Sequence, residues 1–139
     1  MRTWKWWSVI ADWTKDIVSW SVVASLFYWR TFEVAWCVLG AILNGLGVKV
    51  VKNALRWKRP DAGGRESGDY GFPSSHSASL AYFGVCALLY PNQLLWWVVG
   101  GFVVVASISR VYSNLHTMEQ VLGGLLWGWM SAWVWLRVS

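Results

Sequence analysis

Two histidines and a set of cations are the side chains through which this sequence could do chemistry. His76 follows Pro73, Ser74 and Ser75 and stands at the mouth of an apolar run, while Arg110 and His116 share the stretch "SRVYSNLHTMEQ" at 109–120. An imidazole is a competent nucleophile when a neighbour holds its other nitrogen, and an arginine fork matches phosphate oxygens in pairs. Ser74 or Ser75 can cap the helix that follows, whose first N–H groups then form an anion site supported by the helix dipole. A third cluster, "KNALRWKRP" at 52–60, holds Lys52, Arg56 and Arg59. Seven helical residues turn through about 700°, so a continuous helix would bring Lys52 and Arg59 to one face, within roughly 20°. Pro60 then ends the helix nearby. Each cluster alone reads as interfacial cations or a capped helix. Together they make that reading much less attractive and suggest a phosphate site with imidazoles beside it.

The elements that must position these residues are apolar. Of 139 residues, 56% are hydrophobic and 14 are tryptophan, which excludes an ordinary soluble domain and implies a single membrane domain over 1–139. Five apolar runs follow one another, at about 17–28, 34–51, 77–90, 94–112 and 121–136. A span needs roughly 20 helical residues; the second and fourth runs reach this, and the others only with polar flanks. The runs are continuous rather than alternating, and "YPNQ" at 90–93 separates two of them, so an all-α bundle of about five transmembrane helices over 17–139 is expected. Small residues four apart, at Ala41/Gly45, Ser77/Ala81 and Gly124/Gly128, are candidate sites of close helix approach.

Residues 1–16 carry Trp6, Ile10 and Trp13 among charges, with Ile17 continuing the spacing, and read as an interfacial amphipathic segment. Those interrupting charges argue against a secretory signal peptide. Cys37 and Cys86 lie in apolar runs and lack metal-ligand spacing, so they are expected to act as small hydrophobes. Asn44 and Lys49 would be costly against lipid and are expected to face the bundle or the mouth of the site. Residues 61–72, with four glycines, form a long connection that serves either as a lid or as a passive link.

If the helices alternate in direction, every residue of the three clusters falls at one membrane face. Of 12 Lys and Arg, ten lie on or near that face, and only Arg30 and Arg137 lie opposite. By the positive-inside bias the basic face is cytoplasmic, or stromal in a plastid. The membrane would be endoplasmic reticulum or plastid in a eukaryote and the plasma membrane in a bacterium. A small channel or transporter fits less well, because its charges would lie near the midplane.

The three clusters, in order and in spacing, resemble the type 2 phosphatidic acid phosphatases, the PAP2 family that shares its fold with vanadium haloperoxidases. The family's motifs are Lys, six residues and Arg-Pro; Pro-Ser-Gly-His; and Ser-Arg, five residues, His, three residues and Asp. Here they read Lys52 with Arg59-Pro60, Pro73-Ser74-Ser75-His76, and Ser109-Arg110 with His116 and Gln120. Two positions depart. Ser75 replaces a glycine whose expected contact is a backbone N–H, which serine keeps. Gln120 replaces the aspartate that orients the nucleophile, and "HTxxQV" looks like the dolichyl diphosphatases and the plastid-type lipid phosphate phosphatases.

The resemblance implies that Lys52, Arg59, Arg110 and the backbone at Ser74, Ser75 and His76 bind phosphate, with Arg56 and Lys58 auxiliary at most. It implies that His116 attacks phosphorus and that His76 is the general acid that later activates water. Gln120 would orient His116 without supplying negative charge, so Gln120→Asp is expected to preserve or raise turnover, with Glu119 as the rival orienter. No metal or other cofactor is implied. The expected partners are a lipid phosphate substrate and the surrounding membrane lipids, with no nucleic acid. Phosphatidate is favoured as substrate, with a polyprenyl or dolichyl diphosphate close behind; a catalytically weak relative that binds phospholipid headgroups is the competing expectation.

Overall fold

The computed structural model describes residues 32–60, 70–89 and 92–138, together with isolated positions between Trp6 and Tyr28. Each of those isolated positions is helical, and Trp6, Ile10, Trp13 and Ile17 are all exposed. The expected interfacial segment and the first apolar run otherwise lie outside the described residues, as does the connection over 61–69.

Four helices follow: α1, Phe32–Leu55; α2, Ser75–Ala87; α3, Gln93–Tyr112; and α4, Met118–Val138. They correspond to the second to fifth apolar runs, and the described residues are all-α. Two of them, α1 and α3, are long and apolar enough to cross a membrane. At 24 and 20 residues they reach about 36 and 30 Å, against about 20 Å for the 13 residues of α2. Two of the helices begin at side-chain caps. Ser74 and Asn92, both extended, cap α2 and α3 with side-chain oxygens that accept from Ser77 N and Leu95 N.

The short α2 is the hub: it packs against α1, α3 and most extensively α4. Glycine makes that last contact possible. A methyl on Gly124 would overlap the carbonyl of Ser74, and one on Gly128 the carbonyl of Ala78, so the two backbones approach directly. On α1 the close approaches fall at Gly40, against Tyr82 and Trp135, and at Gly47, against Trp127; Gly45 faces open space, contrary to the expectation from spacing. Asn44 is buried, as expected, and its Oδ1 accepts from Ser131 Oγ at 2.7 Å, tying α1 to α4. Lys49 is instead exposed. It lies less than two turns from the end of α1, where a long stem can carry its ammonium to the interface.

Tyr82, Cys86 and Ala132 form the apolar core, with Cys37, Ala41 and Trp135 packed around it. The outward faces of α1, α3 and α4 are rich in large apolar side chains, including Ile42, Leu46, Val50, Trp97, Val104, Leu126 and Trp129.

Candidate active site

Alternating helix directions bring the end of α1, the start of α2, the end of α3 and the start of α4 to one end of the bundle. Every predicted site residue is there. Lys52 is buried in the last turn of α1 and Arg110 in the last turn of α3, at 7% and 3% exposure. His76 lies in the first turn of α2, half-buried. Arg59 is half-buried and reaches the site by an unexpected route. The helix stops at Leu55, because Arg56 takes a left-handed φ of 50° and its N–H closes the last turn on Lys52 O at 2.9 Å. Residues 56–60 therefore leave the helix, and the one-face geometry expected for Lys52 and Arg59 does not apply.

The turn between α3 and α4 is built on one carbonyl. Arg110 O accepts from Leu115 N at 3.1 Å and from His116 N at 3.3 Å, and Asn114, with φ 53°, supplies the reversal. His116 emerges from this turn buried, at 2% exposure. The next residue starts α4 through a capping box, a Thr-x-x-Gln signal present in the sequence at 117–120. Thr117 Oγ1 accepts from Gln120 N at 3.4 Å, and Gln120 Oε1 accepts from Thr117 N at 3.2 Å.

The Gln120 side chain is fully buried, and its orientation fixes the chemistry of His116. Its Nε2 donates to Lys58 O at 2.8 Å. A backbone N–H can only donate and a carbonyl can only accept, so Oε1 and Nε2 are distinguished without reference to the histidine. The same Oε1 lies 3.1 Å from His116 Nδ1. Nδ1 must therefore carry the proton, leaving Nε2 of the ring with its lone pair. Burial lowers the His116 pKa, Arg59 lowers it further, and Lys52 and Arg110 add to this against the opposing hydrogen bond from Gln120; the result is about 4. The ring is neutral at physiological pH. Glu119, the rival orienter, is exposed, and the partner of His116 Nδ1 is Gln120 Oε1.

Ser74 serves a structural purpose. Its N–H donates to Gln120 O at 2.9 Å and is thereby engaged, and its hydroxyl oxygen accepts from Ser77 Oγ at 3.1 Å. Ser75 and His76 supply the first two amides of α2, while the Ser74 N–H, expected at the phosphate, is bonded to Gln120 O instead. Sequence reasoning also missed Gly71. Its N–H donates to Trp57 O at 2.7 Å, Trp57 stacks on Phe72 at 5.1 Å, and a methyl on Gly71 would overlap the Gln120 amide. Among the described residues, no three His, Cys, Asp or Glu side chains gather as a metal site.

The family model of the PAP2 superfamily matches residues 33–139, a range that includes every residue of the site. Lipid phosphate phosphatase epsilon 2 of Arabidopsis thaliana chloroplasts is 31% identical over 109 residues, covering 72% of this chain and 37% of the relative. Phosphatidylglycerophosphatase B of Bacillus subtilis is 31% identical over 113 residues, covering 73% and 56%. Human dolichyldiphosphatase 1 is 34% identical over 117 residues, covering 70% and 49%. The chain thus spans only about a third to just over half of the length of these relatives. In fold it matches the crystal structure of a transmembrane PAP2-type phosphatidylglycerolphosphate phosphatase from Bacillus subtilis, with a TM-score of 0.80 at 23% identity over 99% of this chain and 78% of that one. The expected resemblance holds in sequence and in architecture, and the chain belongs to the PAP2 superfamily.

Proposed function

We propose that this chain is a multi-pass membrane phosphatase that removes phosphate from a lipid phosphate or diphosphate. The observation that carries the reading is His116: buried, with its Nδ1–H held by Gln120, and kept neutral first by that burial and then by Arg59, with Lys52 and Arg110 adding to it. A neutral imidazole with a free Nε2 lone pair is a nucleophile that needs no base. The three cations offset the charge on the equatorial oxygens of the phosphoryl group, where most of the catalytic effect of phosphoryl transfer lies. The amides of Ser75 and His76 add donors from the positive end of α2.

In this scheme His116 Nε2 attacks phosphorus, and the bond to the lipid oxygen breaks as His76 delivers a proton to it. Water, deprotonated by His76, then cleaves the phosphohistidine and releases inorganic phosphate. The site lies at the end of apolar helices, so the substrate tail stays among lipid while its phosphate meets the cations. Relatives named for lipid phosphate, phosphatidylglycerophosphate and dolichyl diphosphate support a lipid phosphate as the class. Phosphatidate is favoured on the charge asymmetry of the two faces, ahead of a polyprenyl diphosphate.

The deciding experiment is phosphate release from a panel of lipid phosphates by the purified chain in detergent, alongside His116→Ala. Wild-type turnover with a variant reduced at least about a thousandfold and unchanged in melting temperature is expected. Retention of turnover by the variant would remove His116 from the mechanism. Lipid phosphate binding by the wild type without release would favour the headgroup-binding reading.

A further inference from the structure

Arg59 stands in a segment with no helix or strand to hold it, yet among the cations it has the largest effect on His116. Its main chain is fixed by its neighbours. The carbonyl of Lys58 accepts from Gln120 Nε2, and one residue earlier the carbonyl of Trp57 accepts from Gly71 N. Gly71 in turn lies against the same Gln120 amide so closely that a methyl has no room. Both ends of the connection between residues 58 and 71 thus converge on one side chain, whose other end holds His116.

We infer that Gln120, seated by Gly71, is a positioning junction that sets Arg59 and His116 relative to one another. The inference rests on the reading above, in which His116 attacks a phosphoryl group held by Arg59. It also explains why an amide can stand here. A carboxylate accepts the Nδ1–H of His116 but has no donor for the Lys58 carbonyl, and its second oxygen would face that carbonyl and repel it. The amide alone satisfies an N–H on one side and a C=O on the other. On this inference Gln120→Asp should lower turnover rather than preserve or raise it, because the donor to Lys58 O is lost and the side chain is one methylene shorter.

Gln120→Glu isolates the second contact, since it keeps length, shape and the acceptor for His116 and Thr117. With the full chain in detergent, the inhibition constant of vanadate, an oxyanion stand-in for the phosphoryl group, should rise at least about tenfold, the effect of one displaced charge-assisted hydrogen bond. The KM for the lipid phosphate should rise with it. Arg59→Lys should weaken vanadate comparably, and the double variant should be no weaker than the worse single one, because both changes remove the same contact. Gly71→Ala presses on the amide without altering its chemistry and should weaken vanadate in the same way, which covers the case of a Gln120→Glu protein that does not fold.

Unchanged vanadate inhibition in Gln120→Glu or Gly71→Ala, or effects that multiply in the double variant, would overturn the junction while leaving the phosphatase reading in place. If the wild type releases no phosphate, it is the phosphatase reading that fails. The vanadate-induced rise in melting temperature then reads the same contact directly: a smaller rise in the variants supports the junction, and an equal rise overturns it.

Discussion

Because burial and then Arg59 hold the His116 pKa down at about 4, against an ordinary value of 6.5, acid should affect this protein in two ways. For the free enzyme, kcat/KM is expected to hold as the pH falls through 6.5 and to drop only near 4, where the attacking nitrogen takes a proton. An acid limb centred at 6.5 would show that the ring is not kept neutral by its surroundings. Stability should follow the same window. Between about 4 and 6.5 the unfolded chain binds a proton on this ring that the folded chain does not, so the fold weakens as pH drops through that range. The loss from this group reaches about 3 kcal/mol and is absent above 6.5. Chemical denaturation at pH 7, 5.5 and 4.5 measures it, and His116→Gln, which cannot titrate, should flatten the dependence.

At the scale of elements, not every small residue does the same work. A methyl on Gly128 would overlap the backbone of α2 and one on Gly45 would meet nothing within 4 Å, although the two look alike in the sequence. Gly128→Ala is expected to cost about 1–3 kcal/mol by forcing α2 and α4 apart, and to lower turnover because α2 carries His76 while α4 anchors Gln120. Gly45→Ala should leave both melting temperature and activity within error. Equal sensitivity of the two positions would mean that α2 and α4 do not meet at Gly128. The same contrast shows what was legible in the sequence. Residue type and spacing revealed the helices and brought Lys52, Arg59, His76, Arg110 and His116 to one end, because side chains carry that signal. Contacts made by main chain carry none: the Lys58 and Trp57 carbonyls are independent of residue type, and the left-handed turn at Arg56 falls on a residue that does not advertise it. The Thr117–Gln120 capping box was readable and would have fixed the start of α4 and the buried face of Gln120 together.

For the whole molecule, the charge asymmetry that favours a cytoplasmic or stromal site can be put to a direct test, because α4 runs from the site end to the opposite end. Met118 at its start and Val138 at its finish are exposed, at 52% and 70%. In sealed, inside-in vesicles, a cysteine introduced by Met118→Cys should resist a membrane-impermeant maleimide until the vesicles are opened, and one introduced by Val138→Cys should react at once. The reverse pattern would place the site on the lumenal or external side and turn the substrate preference towards a polyprenyl diphosphate. The packing of the core makes this measurement clean. The chain has only two cysteines; Cys86 is buried and Cys37 is half-buried against the same cluster, both within apolar helices, so both are expected to react slowly with a water-soluble reagent. The natural sequence supplies its own blank, and single-cysteine reporters can be read without first removing the native thiols.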